Sequence, residues 1–111
     1  MRILLILGHP DPESYDAALA KAYAEAARAS GHEVREVILH ALDFDPVLHA
    51  GYRQEQPLEP DLQRAQAEIQ WAEHLVFVYP VWWGGVPALL KGFLDRVLLP
   101  GFGFRYRRGS S

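Results

Sequence analysis

With 111 residues and half of them apolar, the chain suffices for one domain with a real core and no more. A net charge of -3 excludes the basic footprint that nucleic-acid binding requires. The absence of cysteine excludes a disulfide framework and thiolate chemistry. No apolar run approaches the about 18 residues of a membrane span, and Met1-Arg2 leads straight into a strand pattern, so a cytoplasmic protein is expected.

Ile3-Leu4-Leu5-Ile6-Leu7 is a continuous apolar run without the alternation of a half-exposed strand, as a central strand covered on both faces would be. The loop Gly8-His9-Pro10-Asp11-Pro12-Glu13-Ser14 follows, its two prolines barring a helix. Ser14 suits an N-cap, and the spacing predicts a helix over 15–30 with Leu19, Ala22, Tyr23 and Ala26 on one apolar face. Gly31 ends it. Residues 34–39 read as a second, edge-like strand. Residues 40–60 form a long connection punctuated by Pro46, Gly51, Pro57 and Pro60, a length usually associated with function or motion. A short amphipathic helix is expected over 61–72, an apolar third strand over 75–79 and a strongly periodic helix over 86–98. Lys91, Asp95 and Arg96 fall on what reads as the solvated side of that last helix, with Lys91 and Asp95 paired at i, i+4.

Strand–helix alternation implies a parallel sheet with right-handed crossovers. With strand order 2-1-3, ligands bind in the crevice above strands one and three. The two unusual loops, 8–14 and 80–86, follow those two strands and are expected to face each other there. The first enters a helix N-terminus, which favours an anion, with Ser14 and His9 as further donors; a plain helix cap beside a surface histidine would read the same way. The second, Tyr79-Pro80-Val81-Trp82-Trp83-Gly84-Gly85-Val86-Pro87, offers indole area to a flat ring and glycines for close approach. Core or interface tryptophans are the alternative. No Walker A, G-x-G-x-x-G or G-x-S-x-G pattern is present, and the histidines at 9, 32, 40, 49 and 74 lack metal-ligand spacing.

Leu5-Ile6-Leu7-Gly8-His9-Pro10 with Ser14-Tyr15, and the run from Tyr79 through Pro87-Ala88-Leu89-Leu90-Lys91-Gly92-Phe93-Leu94-Asp95-Arg96-Val97 to Gly101-Phe102-Gly103-Phe104-Arg105-Tyr106, resemble the NAD(P)H:quinone oxidoreductase family. The resemblance implies a single flavodoxin-like domain over 1–111, three layers α/β/α with a parallel sheet in order 2-1-3, shortened after the third βα unit. It implies FAD or FMN as cofactor, NAD(P)H as electron donor, a quinone or similar aromatic acceptor, and a homodimer. By the same resemblance His9, Ser14, Tyr15 and Asp16 hold the flavin phosphate. Pro80, Val81, Trp82, Trp83 and Gly84 line the ring, and Phe104 and Tyr106 wall the substrate pocket. Asp16 stands where the family usually has asparagine, and a carboxylate repels a phosphate. The side chains that assist hydride transfer in some members belong to a third loop with no counterpart here, so no catalytic residue is named. The shortening leaves the third strand's outer edge without a neighbour. A non-catalytic remnant or regulatory subunit binding flavin weakly is the alternative function, and a flavodoxin-like one-electron carrier a third.

Overall fold

The computed structural model describes residues 1–99 and 102. The elements run β1 (Arg2–Leu7), α1 (Tyr15–Ala29), β2 (Glu33–Ile38), a single 3-10 turn (Leu39–Ala41), α2 (Pro60–Trp71), β3 (His74–Val78) and α3 (Ala88–Val97). The sheet has three strands in order β2-β1-β3, all parallel. Ile3 stands beside Val34 and His74; Leu7 stands beside Ile38 and Val78. This is the flavodoxin-like arrangement expected from the sequence.

The apolar run of β1 explains the layering. Ile3 to Leu7 are all buried, at 0–3% exposure. Leu4 and Ile6 face one side, packing in the cluster that holds Leu62 and Ala65 of α2 and Leu90, Phe93 and Val97 of α3. Ile3, Leu5 and Leu7 face the other, against Ala20 and Ala24 of α1. Burial of such side chains contributes on the order of 2 kcal/mol each, so this strand anchors both helical layers.

Two expectations are corrected. The apolar face of α1 is not the one through Leu19, Ala22, Tyr23 and Ala26. Ala20 and Ala24 are the buried residues, with Ala17 and Ala27 packed against the same clusters. Small side chains let the helix lie close to the sheet, while Leu19 and Tyr23 remain 44% and 39% exposed. Nor is Arg96 on a solvated face. Its side chain is 1% exposed, although Lys91 and Asp95 pair as expected, at 2.5 Å.

Arg96 organises the long connection. One guanidinium nitrogen donates to the Asp45 carbonyl at 2.5 Å and the other to the Pro57 carbonyl at 3.0 Å and Glu59 Oε1 at 2.6 Å. The two stems of the segment 46–56 are thereby tied at one point, as in an Ω-loop. Gly92 lets Pro46 press onto α3, since a Cβ there would collide with Pro46. Phe44 adds an edge-on contact to Phe93, with ring centroids 6.2 Å apart. The connection is thus fastened at both stems instead of loose.

Burial pushes the Glu59 carboxyl upward, but hydrogen bonds from Arg96 and the Asp45 N–H outweigh it and hold the group below its ordinary value. A depressed folded-state value stabilises the protein above the usual carboxylate range and ceases to do so as pH falls through it. The urea midpoint is expected to decline as pH drops below about 5, and Glu59→Gln to flatten that decline. Arg96→Ala, which strands Glu59 and two carbonyls, is expected to cost about 3 kcal/mol at neutral pH. An unchanged midpoint in that variant would show that the guanidinium is not holding the stems.

Candidate functional site

Parallel pairing sends the turns after β1 and β3 out of the same end of the sheet. The Gly8 N–H donates to the Val78 carbonyl at 2.8 Å, extending the pairing one step past β1. A Cβ on Gly8 would stand 3.0 Å from Leu90 Cδ2 and 3.3 Å from Tyr79 Cβ. The glycine thus permits the close approach that sets the two loops side by side. The His9 and Trp82 rings meet edge to face, centroids 5.3 Å apart.

The first loop is rigid by local hydrogen bonding. His9 Nδ1 accepts the Asp11 N–H at 2.9 Å, and Asp11 Oδ1 accepts the Glu13 N–H at 2.9 Å. With Nδ1 as acceptor, the neutral imidazole carries its proton on Nε2 as a donor. Ser14 caps α1, its Oγ accepting the Ala17 N–H at 3.1 Å. The Ser14 N–H is held by the Asp11 carbonyl at 3.2 Å. Among the described residues the Tyr15 and Asp16 N–H groups have no acceptor. They are the first two donors of the helix, where the dipole also favours an anion. Tyr15 is 78% exposed, and Asp16 is half-buried in the same first turn.

The second loop is a two-residue turn. Trp82 and Gly85 exchange both backbone hydrogen bonds, at 2.9 and 3.0 Å. Trp83 and Gly84 between them have φ of 53° and 74°. Two successive positive φ values define a type I′ turn, which favours Asn-Gly. Glycine meets that need at Gly84, whereas Gly85 has ordinary φ and space for a side chain. Trp83 is the anomaly: a bulky side chain in left-handed backbone, entirely exposed. Strain of this kind gathers at functional sites. Trp82 is half-exposed beside His9, while Pro80 is half-buried and Val81 exposed. Trp71, the third tryptophan, lies elsewhere, stacked under Arg35 at 4.0 Å.

The structure therefore sets His9 of the first loop against Trp82 of the second, with Ser14, Tyr15 and Asp16 following His9 at the start of α1 and Pro80, Val81, Trp83 and Gly84 flanking Trp82. Phe104 and Tyr106 lie outside the described residues. Sequence reasoning passed over Asp11, whose carboxylate and carbonyl shape the first loop; its signal was Pro-Asp-Pro, a favoured setting for a side-chain-to-backbone turn. It also passed over Gly8 as a packing requirement. A cavity of about 520 Å³, lined by Leu48, Tyr52, Gln54 to Pro57 and Leu99 among others, shares no residue with these two loops.

Residues 1–111 match the family model described as Flavodoxin-like fold. The chain belongs to the flavodoxin-like family. It is 31% identical to NAD(P)H dehydrogenase [quinone] 1 of Rattus norvegicus, over 95% of this chain and 46% of the relative. It is 34% identical to an uncharacterized NAD(P)H oxidoreductase of Haemophilus influenzae, over 100% of this chain and 57% of the relative. Among solved structures, the NAD(P)H:quinone oxidoreductase from Methanothermobacter marburgensis superimposes with a TM-score of 0.83 at 30% identity, covering 96% of this chain and 57% of the other. The chain spans about half the length of the curated relatives it matches.

Trp83→Asn is expected to stabilise the fold by about 0.5–1 kcal/mol, because asparagine tolerates the left-handed turn and no packing is lost. Urea unfolding checks this; a destabilised variant would mean that Trp83 packs in solution.

Proposed function

We propose that this protein is a flavin-dependent NAD(P)H oxidoreductase that passes two electrons to a quinone or a similar flat acceptor. The observation that carries the reading is the meeting of His9 and Trp82 at 5.3 Å, in the loop that leads into the helix start where the Tyr15 and Asp16 N–H groups have no acceptor among the described residues. A loop that ends in an anion-favouring helix start meets a flat apolar surface, as a phosphorylated aromatic ring requires. The donor set fits a flavin phosphate: two backbone N–H groups, His9 Nε2 and the α1 dipole. The Ser14 hydroxyl, already accepting from Ala17, keeps its own proton free to donate. A flavin held here would supply the hydride relay between NAD(P)H and an acceptor, and the protein's part is to orient and to tune charge. Pro80, Val81 and the indoles of Trp82 and Trp83 orient and desolvate the ring, and Gly84 permits the turn that presents them. The quinone acceptor and the donor follow from what the relatives are named. The family resemblance adds a homodimer in which Phe104 and Tyr106 complete the acceptor pocket.

Asp16 is the element of the site that opposes the cofactor, since its carboxylate shares the first turn with the proposed phosphate. Asp16→Asn is expected to tighten FMN binding by roughly threefold to tenfold. The same change removes a favourable carboxylate–dipole interaction, lowering stability by about 0.3–1 kcal/mol. Urea unfolding checks the stability, and titration with FMN and with FAD, read by tryptophan quenching, checks the affinity: the Trp82→Ala variant should quench less and His9→Ala should bind roughly tenfold more weakly. NAD(P)H should bleach the yellow complex and a quinone restore it. A protein that takes up neither flavin would be a non-catalytic relative, and a stable one-electron reduced form would mark a carrier instead.

A further inference from the structure

The tied segment 46–56 holds a cavity of its own, apart from the two loops that meet at His9 and Trp82. It measures about 520 Å³, within the range of roughly 300–1,000 Å³ that takes drug-sized molecules. The segment is held in shape by its own bonds. Arg96 fastens the stems through the Asp45 and Pro57 carbonyls. Farther out, the Gln56 carboxamide bridges the two limbs. Its oxygen accepts the His49 N–H at 3.1 Å, and its nitrogen donates to the Val47 carbonyl at 3.0 Å. Two backbone bonds fold the tip, from the Gly51 N–H to the Leu48 carbonyl at 3.2 Å and from the Arg53 N–H to the Ala50 carbonyl at 3.1 Å. Gly51 supplies the φ of 55° that this turn requires.

The lining is apolar with a single charge. Leu48, Pro57 and Leu99 give aliphatic surface, Tyr52 gives an aromatic ring, and Glu55 is the only charged residue among those that line the cavity. Among the described residues nothing pairs with the Glu55 carboxylate. The basic side chains of the segment lie elsewhere: Arg53 and His49 do not line the cavity, and His49 is paired with Asp45 at 2.7 Å. We propose that this cavity binds a lipophilic organic cation, a molecule with an apolar body over which one positive charge is spread. An anion would meet an unpaired carboxylate and no positive group. A metal ion needs several ligating side chains, and among the described residues no group of three or more histidine or acidic side chains is placed to hold one. A small hydrated ammonium gains nothing from aliphatic walls. A cation with delocalised charge loses little hydration on entry, buries its body against the leucines and the proline, and is drawn by the carboxylate and the Tyr52 ring together. A neutral molecule of the same shape gains the burial without those two attractions. The site stands apart from the redox reading, since none of residues 8–16 or 79–86 lines it.

Tetraphenylphosphonium and tetraphenylborate share one size and shape and carry opposite charges. Each is titrated into the flavin-free protein while amide and side-chain NMR shifts are followed. The phosphonium is expected to bind one to one, with its largest shifts at Leu48, Tyr52, Glu55 and Leu99, and the borate to bind roughly tenfold or more weakly. Glu55→Gln, at an exposed position outside the hydrogen bonds that shape the loop, should lower phosphonium affinity roughly tenfold and abolish the preference between the probes. Glu55→Asp, which keeps the charge, should retain that preference. Circular dichroism verifies that both variants fold. Equal binding of the two probes, a preference that survives Glu55→Gln, phosphonium shifts centred on Trp82, or no shifts at millimolar probe would each overturn the proposal.

Discussion

The structure depends on one strand. β1 is buried on both faces, hydrogen-bonded on both edges and parallel to both neighbours. Because its neighbours run the same way, every strand ends at the same pole of the sheet. Because it lies between β2 and β3, the turn that leaves β1 emerges beside the turn that leaves β3. The candidate site is a consequence of this pairing. A chain with the same two loops on strands in another order would carry them apart.

That logic explains why so much was legible beforehand. Parallel, doubly covered strands write themselves as unbroken apolar runs, and Ile3 to Leu7 is such a run. Ser14, Gly31 and the punctuation around Pro87 bracket the helices by local backbone chemistry, which acts over a few residues and so appears in the sequence. The observed boundaries differ from the expected ones by a residue or two, as fraying ends do. The meeting of His9 with Trp82 was readable only because two loops of unusual composition fell at topologically adjacent positions.

What was not legible is non-local. An alanine-rich helix offers two apolar stripes of similar weight. Periodicity favoured the one with the larger side chains, Leu19 and Tyr23. Packing chose Ala20 and Ala24, since small residues allow close approach to a sheet already thick with isoleucine and leucine. Arg96 was misread for a related reason. A charge beside Lys91 and Asp95 on a helix reads as surface, and nothing nearby shows that Asp45, Pro57 and Glu59 return from far along the chain to surround it. The left-handed backbone of Trp83 was equally hidden, because tryptophan is a poor sequence signal for a turn that asparagine or glycine would occupy.

The two loops that meet at His9 and Trp82 join rigid and strained parts. The first loop is fixed by the hydrogen bonds of His9, Asp11 and Ser14, and the second holds an exposed indole in a costly conformation. Fixed donors at the start of α1 and a presented aromatic surface next to His9 are what the proposed binding of a charged, flat molecule rests on. The most direct measurement is an amide and indole chemical-shift map of the protein titrated with FMN. The account predicts the largest shifts at the Tyr15 and Asp16 amides, the His9 ring and the Trp82 indole, saturating together. Shifts gathered around Tyr52 and Leu99, with His9 and Trp82 unmoved, would contradict it.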